Sequence, residues 1–193
     1  YPFPPMPHEE DIALVDTALR AQGYHPFPLP LALHRLEDDP AQSPCVRCPT
    51  CDGFPCLVHA KGDAELCGVR PALQHANVTL LRNERVRRIL LAEDGRRVSG
   101  VETDQHRYHA RVVVLAAGAV NSAALLLASR SETFPNGIAN SSDQVGRNYM
   151  CHLNSACMAI KITRENRSIF QKTLALNDFY EDSGDPDYPY PLG

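Results

Sequence analysis

The chain has 193 residues, 44% of them hydrophobic and 22% charged, with a formal net charge of −4, enough length for an ordinary core and the composition of a globular protein. The weak negative charge provides no basic footprint for nucleic acid, and no apolar run approaches the roughly 20 residues of a bilayer-spanning helix. The opening YPFPPMPHEED and the close DPDYPYPLG are proline-rich connectors, so the chain is expected to be an internal fragment, a cleavage product or part of a larger polypeptide.

The first expected piece, residues 1–75, begins with a helix from His8 to about Gln22, because Ile12, Val15, Ala18 and Leu19 fall on one face. Gly23 stops it. HPFPLPLALHRL is then extended, since closely spaced prolines fix φ and remove backbone donors. A cysteine loop follows, with Cys45, Cys48, Cys51 and Cys56 in a C-x2-C-x2-C-x4-C run and Cys67 further on. Thiolates this close can converge on one centre, whereas disulfides across two-residue gaps are strained. The run is one residue longer in its last gap than a bacterial iron–sulfur pattern. C-x-x-C steps also suit zinc, and reduced cysteines packed as small hydrophobes are a third option. A short helix is expected from near Lys61 to just before Pro71.

The second piece, residues 76–152, starts with VTLLRN as a strand and continues as an antiparallel meander turning at Asp94-Gly95. Arg82, Arg85, Arg87 and Arg88 are read as solvent-facing charge, because LAEDG supplies acidic residues at once. Arg111 to Ser129, RVVVLAAGAVNSAALLLAS, reads as a buried strand, a glycine turn and an apolar helix. Ala116, Ala117 and Gly118 remove side-chain bulk, so backbone can approach a ligand closely. Asn121 or Ser122 can satisfy free amides in the helix's first turn, and that turn offers N–H groups and positive dipole to an anion. A buried strand and helix with no ligand is the competing reading. ETFPNGIANSSDQVG is a turn-rich loop, tightest at Pro135-Asn136-Gly137. The third piece, residues 153–193, opens with NSACMAIKI, whose alternation suggests a strand, and shows no regular structure from Asp178 onward.

AAGAVNSAALLLAS resembles the second sequence motif of the glucose-methanol-choline (GMC) flavoprotein oxidoreductases, with Gly118, Ala119, Ser122, Leu125, Leu126 and Ser129 matching in place and Ala123 and Arg130 departing. IANSSDQVGRNYMCH is similar to the family stretch ending in Gly-Arg-Asn-Leu-x-Asp-His, through Gly146, Arg147, Asn148 and His152, with Tyr149 and Cys151 departing. NVTLLRNERVRRILL resembles the strand pair whose valine, here Val86, lies against the flavin adenine. The resemblance implies an α/β (α+β) fold: part of an FAD-binding Rossmann-like domain with an antiparallel meander, followed by the start of a substrate-domain sheet. It implies FAD as cofactor, with adenine contacted by the Val86 backbone, pyrophosphate by Ala117, Gly118, Asn121 and Ser122, and Asn148 near the flavin. It further implies hydride transfer to flavin from the CH–OH group of an alcohol or sugar. The remaining parts of the same polypeptide are implied partners, and an electron-acceptor protein is a further candidate. Some dehydrogenases resembling the family hold a cysteine-bound iron–sulfur cluster near the flavin.

The family's opening G-x-G-x-x-G turn is absent, because the glycines are never spaced that way. No equivalent of its catalytic histidine is recognisable either. His8, His25, His34, His59, His75, His106 and His109 form no base-and-orienter pattern, and His152 is read as a structural histidine, or, by its matching family position, as one that helps shape the flavin pocket. Ser122 lacks the G-x-S-x-G elbow of a hydrolase. Asn77, Asn140 and Asn166 stand in N-x-Ser/Thr patterns that are read as chance matches. Two other classes compete with the flavoenzyme: a non-enzymatic metal-binding or electron-transfer module built on Cys45–Cys56, and a structural remnant whose flavin site has decayed.

Overall fold

The computed structural model describes residues 3–51, 53–152, 154–158, 160 and 162–190. Helices and antiparallel strands are mixed along the chain, which forms two units: Tyr1–Thr79 together with Met158–Gly193, and Leu80–Cys157.

In the first unit, helix α1 spans Glu10–Ala21 and stops just before Gly23, as its apolar stripe predicts. No residue of α1 is fully buried, and Val15 stays 49% exposed. Much of its anchoring is therefore polar. The Glu9 carboxylate, instead of capping α1, accepts the N–H groups of Ile169 and Phe170 at 2.5 and 3.3 Å and the Arg47 guanidinium at 3.0 Å. Arg164 donates to Asp11 at 2.8 Å, and His8 Nδ1 meets the Thr173 hydroxyl at 2.8 Å. Strand β1, Phe27–Pro28, pairs antiparallel with Leu174–Ala175 near the far end of the unit.

The expected second helix begins with a π turn, Glu65–Val69, and continues as α2, Arg70–Ala72, so it runs through Pro71 instead of ending before it. The reason is local. Arg70 N–H bonds back to Glu65 O, five residues away, and such a bulge loosens the turn in which a proline ring would otherwise strike the i−4 carbonyl.

In the second unit, β2 (Val86–Leu91), β3 (Val98–Thr103) and β4 (Arg107–His109) form the antiparallel meander, in the order β2-β3-β4. The β2–β3 turn lies where Asp94-Gly95 predicts it. The Asp94 carboxylate accepts the Arg96 and Arg97 N–H groups at 3.0 Å each and the Arg97 guanidinium at 2.6 Å. Those donors hold its pKa far below the ordinary carboxylate range. Helix α3, Gly118–Ala128, follows the meander. The hydroxyl of Ser129, 1% exposed, donates to Leu125 O at 2.6 Å and accepts Ile89 N–H at 2.8 Å, pinning the end of α3 to β2. The expected turn at Pro135-Asn136-Gly137 closes against that end, with Ile138 N–H on Leu126 O at 3.1 Å.

Three expected strands differ. Residues 78–83 and 112–115 have no regular secondary structure and join no ladder among the described residues, and Asn83 turns the first stretch with a φ of +60°. Val112 and Val114 are 74% and 81% exposed and Val113 and Leu115 only half-buried, so the strand expected to be buried on both faces is not covered. A ladder needs a neighbouring strand, and the three-stranded meander pairs with neither segment among the described residues. The strand expected at NSACMAIKI is also absent over 154–158 and at 160. Leu153, Ala159 and Lys161 lie outside the described residues.

Candidate cofactor site

Helix α3 starts from Ala117, whose φ of −93° and ψ of 14° are not helical, and no side chain caps its first turn. Gly118 has a φ of +79°, the left-handed region, and a Cβ built there would meet nothing within 4 Å. The small residues after the valine run therefore do two things. They permit a backbone path that side chains resist, and they leave open space where the amides of the first turn emerge. Asn121 is exposed beside them. Ser122 acts from within the helix, where its hydroxyl accepts the Ala117 N–H at 3.2 Å and closes the turn.

One flank of α3 opens on a cleft of about 540 Å³, lined by Ala119, Ala123 and Leu127 on one side and by Gln144, Asn148 and Tyr149 on the other. Gly146 rests on the helix here, its Cα hydrogens pointing at Leu127 and Ala123. Asn140, 4% exposed, braces the loop by donating to Asn136 O and accepting Val145 N–H, both at 3.0 Å. Asn148 donates to Gln144 Oε1 at 3.0 Å. The two stretches that carry the sequence motifs thus meet: the start of α3 and Asn148 share one cleft. Of the residues expected to hold the cofactor only Asn148 lines it; Ala117, Gly118, Asn121, Ser122 and Val86 do not, nor does His152. Val86 lies at the head of β2, paired with Thr103, with a register irregularity immediately after it.

The cysteine loop does not form the expected metal centre. Among the described residues no three His, Cys, Asp or Glu side chains gather at one point. Cys45 is buried, while Cys48, Cys51 and Cys56 are half-buried. The loop winds instead around Lys61, whose ammonium donates to the carbonyls of Cys51 and, at 2.9 Å, Phe54. Cys56 Sγ accepts Ala60 N–H at 3.3 Å. That amide, with those of Lys61 and Val58 and the Lys61 charge, lowers the Cys56 thiol pKa. The loop's thiols are not brought to one point among the described residues, as an iron–sulfur cluster or a zinc ion would need.

Two structural features carried no sequence signal of their own. Ser129 is a motif residue, but its anchoring role depends on β2, forty positions away. Glu84, His106 and Tyr108 form a cluster across the meander, visible in sequence only once the β3–β4 pairing is known.

The sequence pattern of the family described as GMC oxidoreductase matches residues 32–154. Paromamine 6'-oxidase of Streptomyces fradiae is 38% identical over 75% of this chain and 27% of its own length. 6'''-Hydroxyparomomycin C oxidase of Streptomyces lividus is 39% identical over 65% of this chain and 24% of its own. The large subunit of fructose dehydrogenase from Gluconobacter japonicus is 45% identical over 26% of this chain and 9% of its own. The match thus spans about a quarter of the first two relatives.

Proposed function

Because the chain belongs to the GMC oxidoreductase family, we propose that it is part of an FAD-dependent oxidoreductase that oxidises the CH–OH group of an alcohol or sugar. Residues 76–152 supply part of the Rossmann-like FAD-binding domain, with β2–β4 as its antiparallel excursion. Residues 1–75 are a proline-rich connector with a helix and a cysteine-rich loop, and residues 153–193 begin the substrate-binding domain. The observation that carries the proposal is the uncapped start of α3, facing open space at Gly118, which suits a doubly charged pyrophosphate. The names of all three relatives refer to oxidation, two of them of paromamine or a hydroxyparomomycin and one of fructose. A polyhydroxylated carbohydrate is therefore the substrate class.

FAD, when bound, accepts the hydride that leaves the donor carbon. The chain's own residues bind and orient. Ala117 and Gly118 give close backbone approach to the pyrophosphate, and the first turn at Asn121 adds donors. Ser122 keeps that turn closed through the Ala117 N–H. The Val86 backbone would contact the adenine, and Asn148, which lines the α3 cleft, would lie near the flavin. Among the described residues no histidine lines this cleft, so the hydroxyl proton is assigned to a base elsewhere in the polypeptide.

The test is a mass and an absorbance spectrum of the intact polypeptide containing this chain. Flavin bands with about one FAD released per chain on denaturation are expected. A colourless protein, folded by circular dichroism and unchanged by added FAD, would overturn the assignment.

A further inference from the structure

The segment that enters β2 is fastened by a polar cluster that the flavin contacts above do not use. Glu84, two residues before Val86, has a side chain only 16% exposed. Its Oε1 meets His106 Nδ1 at 3.1 Å, while its Oε2 is buried with no hydrogen-bonded partner among the described residues. The β3–β4 turn holds His106 in place: the Thr103 hydroxyl accepts the N–H groups of Gln105 and His106 at 3.2 and 2.9 Å and donates to His106 O at 3.2 Å. Tyr108 on β4 completes the cluster, its hydroxyl raised in pKa by burial and by the Glu84 charge. The Glu84 carboxyl is lowered, first by the nearby Thr103 hydroxyl and then by His106. The neighbouring Arg87 is already committed to Asp104 at 2.5 Å.

This stretch has little other fastening among the described residues. Residues 80–85 join no ladder, Leu80 and Leu81 are 55% and 52% exposed, and the pairing after Val86 is irregular. The direction in which Val86 presents its N–H and C=O is therefore set by one ladder pair on its own side and by the Glu84 anchor behind it. A carboxylate held by a side chain of the next hairpin fixes the local backbone more tightly than an exposed loop can.

We propose that Glu84 is a positioning residue: clamped to His106, it sets the Val86 backbone for the adenine end of FAD. This rests on the flavin assignment made above.

The experiment compares flavin-loaded wild type with Glu84→Ala, Glu84→Gln, His106→Ala and the double alanine variant, all in the intact polypeptide. Flavin release is followed by fluorescence in urea below the unfolding transition, beside each variant's thermal midpoint and substrate KM. Release in both single alanine variants is expected to speed up roughly fivefold or more, and the double variant to release no faster than the faster single one. Glu84→Gln, which keeps an acceptor for His106 but not its charge, is expected to fall between. KM for the hydroxyl substrate should stay at the wild-type value. Release within twofold of wild type, additive effects, or release that merely tracks the loss of thermal midpoint would each overturn the proposal. A wild type that carries no flavin would remove the functional assignment and this inference together; a flavin-bearing wild type with indifferent variants would remove this inference alone.

Discussion

At Gly118 two demands coincide, a φ of +79° and an empty approach to the amides beside it. Gly118→Val should fail on both counts. The left-handed conformation costs a branched residue about 1–2 kcal/mol, and the new methyl groups occupy the space assigned to the pyrophosphate. Flavin content of the purified intact protein should fall from about one per chain to near zero, with a folded circular dichroism spectrum. Stoichiometric flavin in that variant would show that phosphate is held elsewhere. Cys56 makes a separate prediction. The amides around its sulfur stabilise the thiolate, so its pKa is lowered and its reactive fraction rises at a pH where an ordinary thiol is still protonated. Cys48 is also half-buried, without such a set of amides at its sulfur among the described hydrogen bonds. Iodoacetamide at pH 7 should therefore label Cys56 before Cys48 in the folded protein and lose that preference in denaturant. Mass mapping of the labelled peptides reads the order, and Cys48 leading would refute the amide nest.

At the scale of elements, α3 is held by its end more than by its face. No residue of α3 is fully buried, whereas Ser129, just past its last turn, is 1% exposed and joins Leu125 O to Ile89 N–H. Ser129→Ala leaves that buried N–H without an acceptor, a loss of about 1–3 kcal/mol. Urea titration of the intact protein should show it as a lower midpoint with an unchanged slope. A shift below the error of the fit would mean that water replaces the hydroxyl. Gly137 closes the same junction from the other side. A Cβ there would stand 2.7 Å from Leu126 O and 2.8 Å from Leu127 Cα, so the loop cannot back away without losing Ile138 N–H from the helix end. Stability here is concentrated in a few atoms around the joint of α3, β2 and the 134–138 turn. The Gly118 turn, proposed above for the pyrophosphate, stands at the other end of the same helix.

At the scale of the molecule, what the sequence revealed was what short-range chemistry decides. The stripe Ile12, Val15, Ala18 and Leu19 placed α1, Asp94-Gly95 placed a turn now held by three donors, and the Gly118 motif placed α3. Long-range partners were not legible. The return of residues 164–178 onto the start of the chain rests on Glu9, Asp11 and His8 meeting segments some 150 to 165 positions away. Cysteine spacing alone did not reveal that the Lys61 ammonium takes up the carbonyls of Cys51 and Phe54 in that loop. The valine run is the sharpest case. Val112–Leu115 has the composition of a strand covered on both faces, yet its backbone groups join no ladder among the described residues and Val114 is 81% exposed. β-Branched residues with unused donors and acceptors on both sides have the properties of a central strand without its neighbours, in a chain that spans about a quarter of the relatives' length. In a polypeptide of that length, the amides of Val112–Leu115 should exchange with deuterium as slowly as those of Ile89 and Leu90 in β2. Val114→Lys should then destabilise it by more than the ~0.5 kcal/mol of an ordinary surface change. Fast exchange at these four amides, with Val114→Lys indifferent, would leave the run solvent-exposed in the larger protein too. The approach to Gly118 would then lack the sheet that a Rossmann-like cofactor domain requires.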